Sequence, residues 1–267
     1  MDISEQSMVT AIKANLFEYY DYLGHSPQAE LSESSGMKWL ITGIPHPFLN
    51  HVLRTRLTSS NVDARIGETL GYFHSKGIIE FSWWVEPDSE PLDLSEHLSA
   101  HGLTYTDGAT GMAFDLLKLN EAVTTPPEFT VECVRGTEML RQWVQVAVNG
   151  FGLPEACANP CFNLFAILGF DLPLRNYVGF LNGKPVVSSQ LFLGAGAAGI
   201  YWVATVPEAR QQGLGTAITL ALLREVRDMG FSLGILHASE MGYGVYHRIG
   251  FQELCMMNHF MAAADSK

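Results

Sequence analysis

Positive charge is scarce in this chain. Sixteen Lys and Arg stand against 28 Asp and Glu, a formal net charge of −12 over 267 residues. That deficit disfavours nucleic-acid binding, which needs a basic surface to replace counterions on the phosphates. It favours a cationic partner such as an amine, and it also serves plain solubility. Long apolar runs are missing as well. None reaches the roughly 18 residues that cross a bilayer, so no membrane partner is expected. The opening Met1-Asp-Ile-Ser-Glu5 is acidic and polar, unlike the start of a secretory leader. Cysteine is sparse: Cys133, Cys157, Cys161 and Cys255 form no Cys-x-x-Cys pair and stand near no histidine cluster. No metal and no disulfide framework are expected, and reduced thiols in a cytoplasmic protein are the expectation. What is present is a 47% hydrophobic, 16% charged composition. That suffices for a proper core, in one large domain or two small ones.

The most informative stretch runs from Val203 to Thr216, Val-Ala-Thr-Val-Pro-Glu-Ala-Arg-Gln-Gln-Gly-Leu-Gly-Thr. A β-branched run stops at a proline. A glycine turn follows, then the helix formers from Ala217 to Met229, closed by Gly230. At such a strand–loop–helix junction the first helical N–H groups lack intrahelical partners and the dipole's positive end points outward. Phosphate binds there, and glycine lets it approach the backbone. A P-loop is excluded because Gly215 is followed by Thr216 with no lysine, and a Rossmann fingerprint because Ile218 occupies the third glycine position. An upstream Gly194-Ala-Gly196-Ala-Ala-Gly199 spells G-x-G-x-x-G, but the Ile200–Val203 run after it reads as a strand. It is expected to be a hairpin turn.

Beyond the helix come the apolar strand Phe231–Leu236 and then His237-Ala-Ser239-Glu240, leading to Tyr246-His-Arg-Ile-Gly250-Phe251. Arg-x-x-Gly-x-Gly after a Val-x-Pro strand end, followed in this order by Tyr-x-x-x-Gly-Phe, closely resembles the GNAT N-acetyltransferase superfamily. The resemblance covers about residues 128 to 262. Phe129–Val134 alternates like a strand, Glu138–Asn149 and Cys161–Leu168 read as helices, and Asn176–Leu181 with Lys184–Phe192 reads as a hairpin about Asn182-Gly183.

The first half resembles a worn copy of the same plan. Strands are expected at Lys38–Thr42, His51–Leu57 and Ile78–Trp84, a helix at Val62–Lys76, a helix end at Leu94–Leu103 and a last strand at Gly111–Leu116. No Arg-x-x-Gly-x-Gly occurs there, and Leu98 stands where the tyrosine would be. The expected fold class is α+β: two GNAT-like domains, each a mixed, mainly antiparallel twisted sheet flanked by helices. The divide falls at the Pro126-Pro127 break, giving a degenerate domain over 1–125 and a catalytic one over 126–267.

The resemblance implies acetyl transfer from acetyl-CoA, as co-substrate, to an amine, in a monomer or homodimer. It assigns Val203, Ala204, Thr205 and Val206 to a splayed strand whose backbone pairs with pantetheine. It assigns Gln211, Gln212, Gly213, Leu214, Gly215 and Thr216 to the pyrophosphate. Arg210 either adds charge there or makes a surface ion pair. Ser239 stands where many members have a cofactor-binding asparagine. Tyr246 is the candidate acid for the leaving thiolate, or else a packing residue, and Tyr243 competes for the role. The usual positions of the base are Gly199 and Gly234, and neither can act. His237, Glu240 and Glu155 remain candidates beside a water-mediated route, whereas Glu208 reads as a loop or cap residue. The acceptor side, residues 150–175, is rich in Phe151, Phe162, Phe165 and Phe170. The alternatives are a non-catalytic acyl-CoA sensor and transfer of a longer acyl group.

Overall fold

The computed structural model of the chain describes residues 3–34, 36–120 and 126–262. The elements in chain order are α1 (Glu5–Leu23), β1 (Glu30–Ser34), β2 (Met37–Ile41), β3 (Asn50–Leu53), α2 (Val62–Ser75), β4 (Phe81–Val85), α3 (Leu94–Ala100) and β5 (Thr104–Asp115). There follow β6 (Phe129–Cys133), α4 (Thr137–Phe151), α5 (Ala158–Leu168), β7 (Leu174–Leu181), β8 (Lys184–Gly194), β9 (Ala197–Thr205), α6 (Leu214–Asp228), β10 (Leu233–Ala238), α7 (Glu240–Ile249) and β11 (Gln252–Ala262). Most of the expected elements appear, with ends shifted by a few residues. The expected break before Pro126 lies mostly in 121–125, outside the described residues. Among the described residues no helix is long and apolar enough to cross a membrane.

Two compact units emerge, and neither is a continuous stretch of chain. One comprises Met1–Leu23 and Thr110–Cys255; the other comprises Gly24–Ala109 and Met256–Lys267. The two sequence copies are counted along the chain, whereas these units are counted in space. They differ because α1 belongs to the first unit and because β5 and β11 each begin in one unit and end in the other.

In the first unit β6, β7, β8 and β9 pair antiparallel in sequence order. Asn182 and Gly183 both take positive φ, 52° and 74°, as a two-residue turn matching strand twist requires. Ala195 and Gly196 do the same at 50° and 71°, so the G-x-G-x-x-G run is indeed a hairpin turn. β10 lies parallel to β9 and antiparallel to the Thr110–Asp115 end of β5. α6 buries Ile218, Leu222, Leu223 and Val226 against this sheet. Each such side chain contributes about 2 kcal/mol by leaving water. On α4, Trp143 is buried and donates its indole N–H to Ser189 O at 2.9 Å.

α1 was not apparent from the sequence. Its buried stripe is Met8, Ile12, Asn15, Leu16, Tyr19, Tyr20 and Leu23. A buried asparagine and two phenols interrupt the apolar period that would announce an amphipathic helix.

In the second unit β1, β2 and β3 are antiparallel, β3 and β4 run parallel, and β4 pairs antiparallel with the Asn258–Ala262 end of β11. α2 buries Ile66 and Phe73, the latter 4.1 Å from Phe81 between ring centroids. The expected strand over His51–Leu57 ends at Leu53, because Arg54 turns to φ 52°.

Candidate functional site

The site is built where β9 and β10 part. Their parallel pairing covers only Ala198–Ile200 against Gly234–Leu236. β9 then continues through Thr205 without β10 beside it. The cause is a bulge: the β8–β9 register shifts between Ser188 and Gln190, and Trp202 takes φ 51°. A bulge bends its strand and raises its twist. Ser188 Oγ donates to Trp202 O at 2.9 Å and fixes the bent peptide. Val203, Ala204 and Thr205 therefore form a strand edge that β10 does not pair, with the Thr205 carbonyl taken by Arg210. Val206 does not share this property. Its N–H donates to Val186 O and its carbonyl accepts from Ala209 N–H, both at 3.0 Å.

The loop after β9 turns through Pro207–Ala209. Arg210 folds back, donating Nη2–H to Gly150 O at 2.8 Å and Nε–H to Thr205 O at 3.2 Å. It thus ties the loop to the ends of α4 and β9, a bracing role that neither sequence reading of this residue contained. Gly150 belongs to the same joint: a Cβ there would lie 2.8 Å from the Ala204 Cβ.

Gln211 (φ 63°) and Gly213 (φ 74°) are both left-handed, so the chain turns sharply into α6. Gly213 caps α6, and the first intrahelical bond runs from Ala217 N–H to Gly213 O at 3.0 Å. The N–H groups of Leu214, Gly215 and Thr216 therefore head the helix without an i−4 partner, at its positive end. Leu214 is buried and contributes main chain only, while Gln211 and Gln212 are exposed. Gly213 is required by its φ. Gly215 is not required by the fold, because a Cβ there would have Thr205 Oγ1, 4.0 Å away, as its nearest neighbour.

β10 leads into α7, whose N-cap is Ser239; its Oγ accepts from Gly242 N–H at 3.3 Å. Tyr246 is 9% exposed and meets Phe251 edge-on at 6.0 Å. Burial raises its phenol pKa far above the ordinary value, so it stays protonated at neutral pH, the form an acid needs. Tyr243 donates its hydroxyl to Glu253 Oε2 at 3.0 Å and is committed there. Gly250 ends the helix at φ 114°, and a Cβ on it would strike the Phe114 ring at 2.8 Å.

The two glycines at the usual base positions are glycines for identifiable reasons. A Cβ at Gly199 would lie 2.2 Å from Asn15 Oδ1 of α1 and 2.5 Å from the Tyr201 ring. A Cβ at Gly234 would press on Leu223 at 3.0 Å and Leu116 at 3.3 Å, in the core. His237 lies along the Tyr201 ring at 6.2 Å and 21°. Glu155 accepts from Gln145 Nε2 at 3.1 Å, and Glu240 sits exposed in the first turn of α7. Glu208 lies in the short turn before Arg210, as expected of a loop residue.

The phenylalanines of the acceptor side divide. Phe151 and Phe165 pack edge-on against Trp202, each at 5.6 Å. Phe162 carries the Arg141 guanidinium at 4.0 Å, beside a cleft of about 310 Å³ that also meets Gln145, Glu155 and Asn159. Asn15, which fills the space at Gly199, and Trp202, at the bulge, are residues that sequence reasoning missed here.

Residues 195–254 match the family model of the acetyltransferase (GNAT) domain, the segment from the β8–β9 turn to the start of β11. No curated protein sequence matches the chain. Among solved structures, a GCN5-related N-acetyltransferase from Kribbella flavida is similar with a TM-score of 0.70 at 16% identity, over 94% of this chain and 96% of that one. A functionally unknown conserved protein from Staphylococcus epidermidis gives 0.69 at 14% identity, over 89% and 95%. A tandem GNAT protein from the clavulanic acid biosynthesis pathway gives 0.60 at 16% identity, over 98% and 96%. The segment 195–254 thus matches the acetyltransferase (GNAT) domain, and the chain as a whole has the fold seen in a tandem GNAT protein.

Proposed function

We propose that this protein is an N-acetyltransferase that moves an acetyl group from acetyl-CoA to a primary amine, using one site in the first unit. The observation that carries the reading is Gly215: an outward-facing helix start with a glycine that the chain's own packing does not require. A pyrophosphate lying on the N–H groups of 214–216 would require it. The edge of Val203–Thr205 suits the extended pantetheine arm, and an N–H there would stabilise the oxyanion that forms on the thioester carbonyl.

The amine nitrogen attacks that carbonyl, the C–S bond breaks, and the thiolate takes the proton of Tyr246. Solvent then reprotonates the phenolate. The amine's own proton leaves through water, with His237 at the end of β10 as a titratable candidate. Positioning, rather than a strong base, supplies most of the rate in this scheme. The filled space at Gly199 favours a second reading, a non-catalytic acyl-CoA sensor.

The test is calorimetric titration of CoA combined with thiol release from acetyl-CoA across a panel of amines. Binding with acceptor-dependent release is expected. Binding without any such release would leave the sensor, and absence of binding would remove both readings.

A further inference from the structure

The glycine run between β8 and β9 seats the N-terminal helix. Asn15 Nδ2 donates to Gly194 O at 2.8 Å and to Ala197 O at 3.1 Å. Glu18 Oε2 accepts from Ala195 N–H at 2.6 Å. Side chains at Gly194 or Gly199 would displace these contacts, since a Cβ would fall 2.7 Å from Glu18 Oε2 or 2.2 Å from Asn15 Oδ1. Tyr201, on the same stretch of β9, donates its hydroxyl to Asn15 Oδ1 at 2.8 Å.

One turn further along α1, Tyr19 reaches the bulge itself. Its ring stacks on Tyr201 at 4.4 Å and 9°. Its hydroxyl accepts from Trp202 Nε1–H at 2.9 Å and donates to Gln190 Oε1 at 2.7 Å. Gln190 in turn donates Nε2–H to Asn176 Oδ1 at 2.7 Å. Tyr19, Gln190 and Asn176 are all buried. A tryptophan at positive φ is strained and persists only where its surroundings over-determine it. Here the surroundings are Ser188 on the carbonyl, the rings of Trp143, Phe151 and Phe165 on the indole, and Tyr19 on the indole N–H.

We infer that Tyr19 is a positioning residue for the acyl-CoA notch. Through Trp202 it holds the bulge that turns Val203–Thr205 away from β10, so the N-terminal helix is a working part of a site 180 residues downstream. The inference rests on the acyl-CoA reading for its consequence but not for its geometry.

The experiment compares Tyr19→Phe with Tyr22→Phe in the full chain. Each removes one phenolic hydroxyl from α1, but the Tyr22 hydroxyl donates to Leu168 O at 3.2 Å, away from the bulge. Amide hydrogen exchange at Val203, Ala204 and Thr205 and the Kd for CoA are measured well below both unfolding midpoints. Tyr19→Phe is expected to speed exchange at those three amides and to weaken CoA about tenfold or more. Tyr22→Phe is expected to change neither. Should Tyr19→Phe fail to fold, Trp202→Phe breaks the same bond from the other side and carries the same exchange prediction. Unchanged exchange at 203–205, or an equal change in Tyr22→Phe, overturns the inference. If the native chain binds no CoA, the acyl-CoA reading fails while the exchange contrast still decides the role of Tyr19.

Discussion

The β9–α6 and β3–α2 connections solve one geometric problem in opposite ways. Each leads from a strand through a loop to a helix, and each helix is followed by a strand parallel to the first. In the first unit the loop ends in Gly213 at the head of α6, with the N–H groups of 214–216 lacking an i−4 partner. In the second unit the loop closes on a carboxylate from the segment that follows β4. Glu86, 3% exposed, accepts from Arg54 N–H at 2.9 Å and from Ser89 Oγ at 2.9 Å, with Arg56 Nη1 4.0 Å away. Leu57 is buried, and its N–H donates to Glu90 O at 3.0 Å. The following short helices diverge in the same sense. α7 carries Tyr246, whereas α3 carries Leu98, fully buried and without a proton to give. A glycine-capped helix start and a buried tyrosine occur together in one unit, whereas a loop closed on Glu86 and a buried leucine occur together in the other.

Tyr246→Phe tests that pairing with the largest effect. Turnover in the thiol-release assay should fall about 100-fold while CoA affinity stays within twofold, since a general acid acts on the chemical step. Full activity in this variant across pH would leave the two short helices equivalent. Next is Glu86→Ala, which removes the acceptor of the Arg54 N–H while Arg56 keeps its bridge to Asp88. It should cost about 2 kcal/mol in denaturant unfolding, with the CoA Kd unaltered. A collapse of CoA affinity would mean that the second unit takes part in binding. Gly215→Leu separates folding from binding at the open loop. Stability should be kept or slightly raised, because glycine is the poorer helix former. CoA affinity should drop about 100-fold, roughly 2.7 kcal/mol, and retained affinity would refute the pyrophosphate assignment.

What was legible in the sequence was what single residues settle locally. The Asn182-Gly183 turn, the glycine that heads α6 and the glycine that ends α7 are of this kind. The rest depends on partners far apart in the chain. Nothing beside Trp202 announces a bulge: neither neighbour is a glycine or proline, and its φ is held by Tyr19 and Ser188 from elsewhere. Gly199 and Gly194 were legible as glycines but not as the seat of Asn15 and Glu18, about 180 positions away. The interleaving of the units was invisible for a similar reason. The β5–β10 and β4–β11 pairings bring together strands more than a hundred residues apart, which no local period encodes. Arg210 was visible as a cation; its carbonyl partners were not.

The smallest effect concerns the helix pair of the second unit. Asp63 on α2 bridges His97 of α3 and His101 just past its end: its Oδ1 lies 2.8 Å from His97 Nδ1 and 3.1 Å from His101 Nε2. The hydrogen bond to Asp63 raises the His97 pKa above its ordinary 6.5, and the bond from His97 lowers that of Asp63 below 3.8. A raised histidine contributes stability that is fully present below 6.5 and lost as pH rises through the raised value. A lowered carboxylate contributes above 3.8 and loses it as pH falls through the lowered value. The α2–α3 contact is therefore firmest in mildly acidic solution, between those limits. Both partners are at the surface, so the gain is small and salt-sensitive. Asp63→Asn should flatten the pH dependence of unfolding on both sides of that window and leave CoA binding alone. A mutant profile that keeps its slope would place the pH response of this unit elsewhere, at the buried Glu86. Burial raises the Glu86 pKa, and its contribution runs the other way from Asp63, favouring the fold as pH falls.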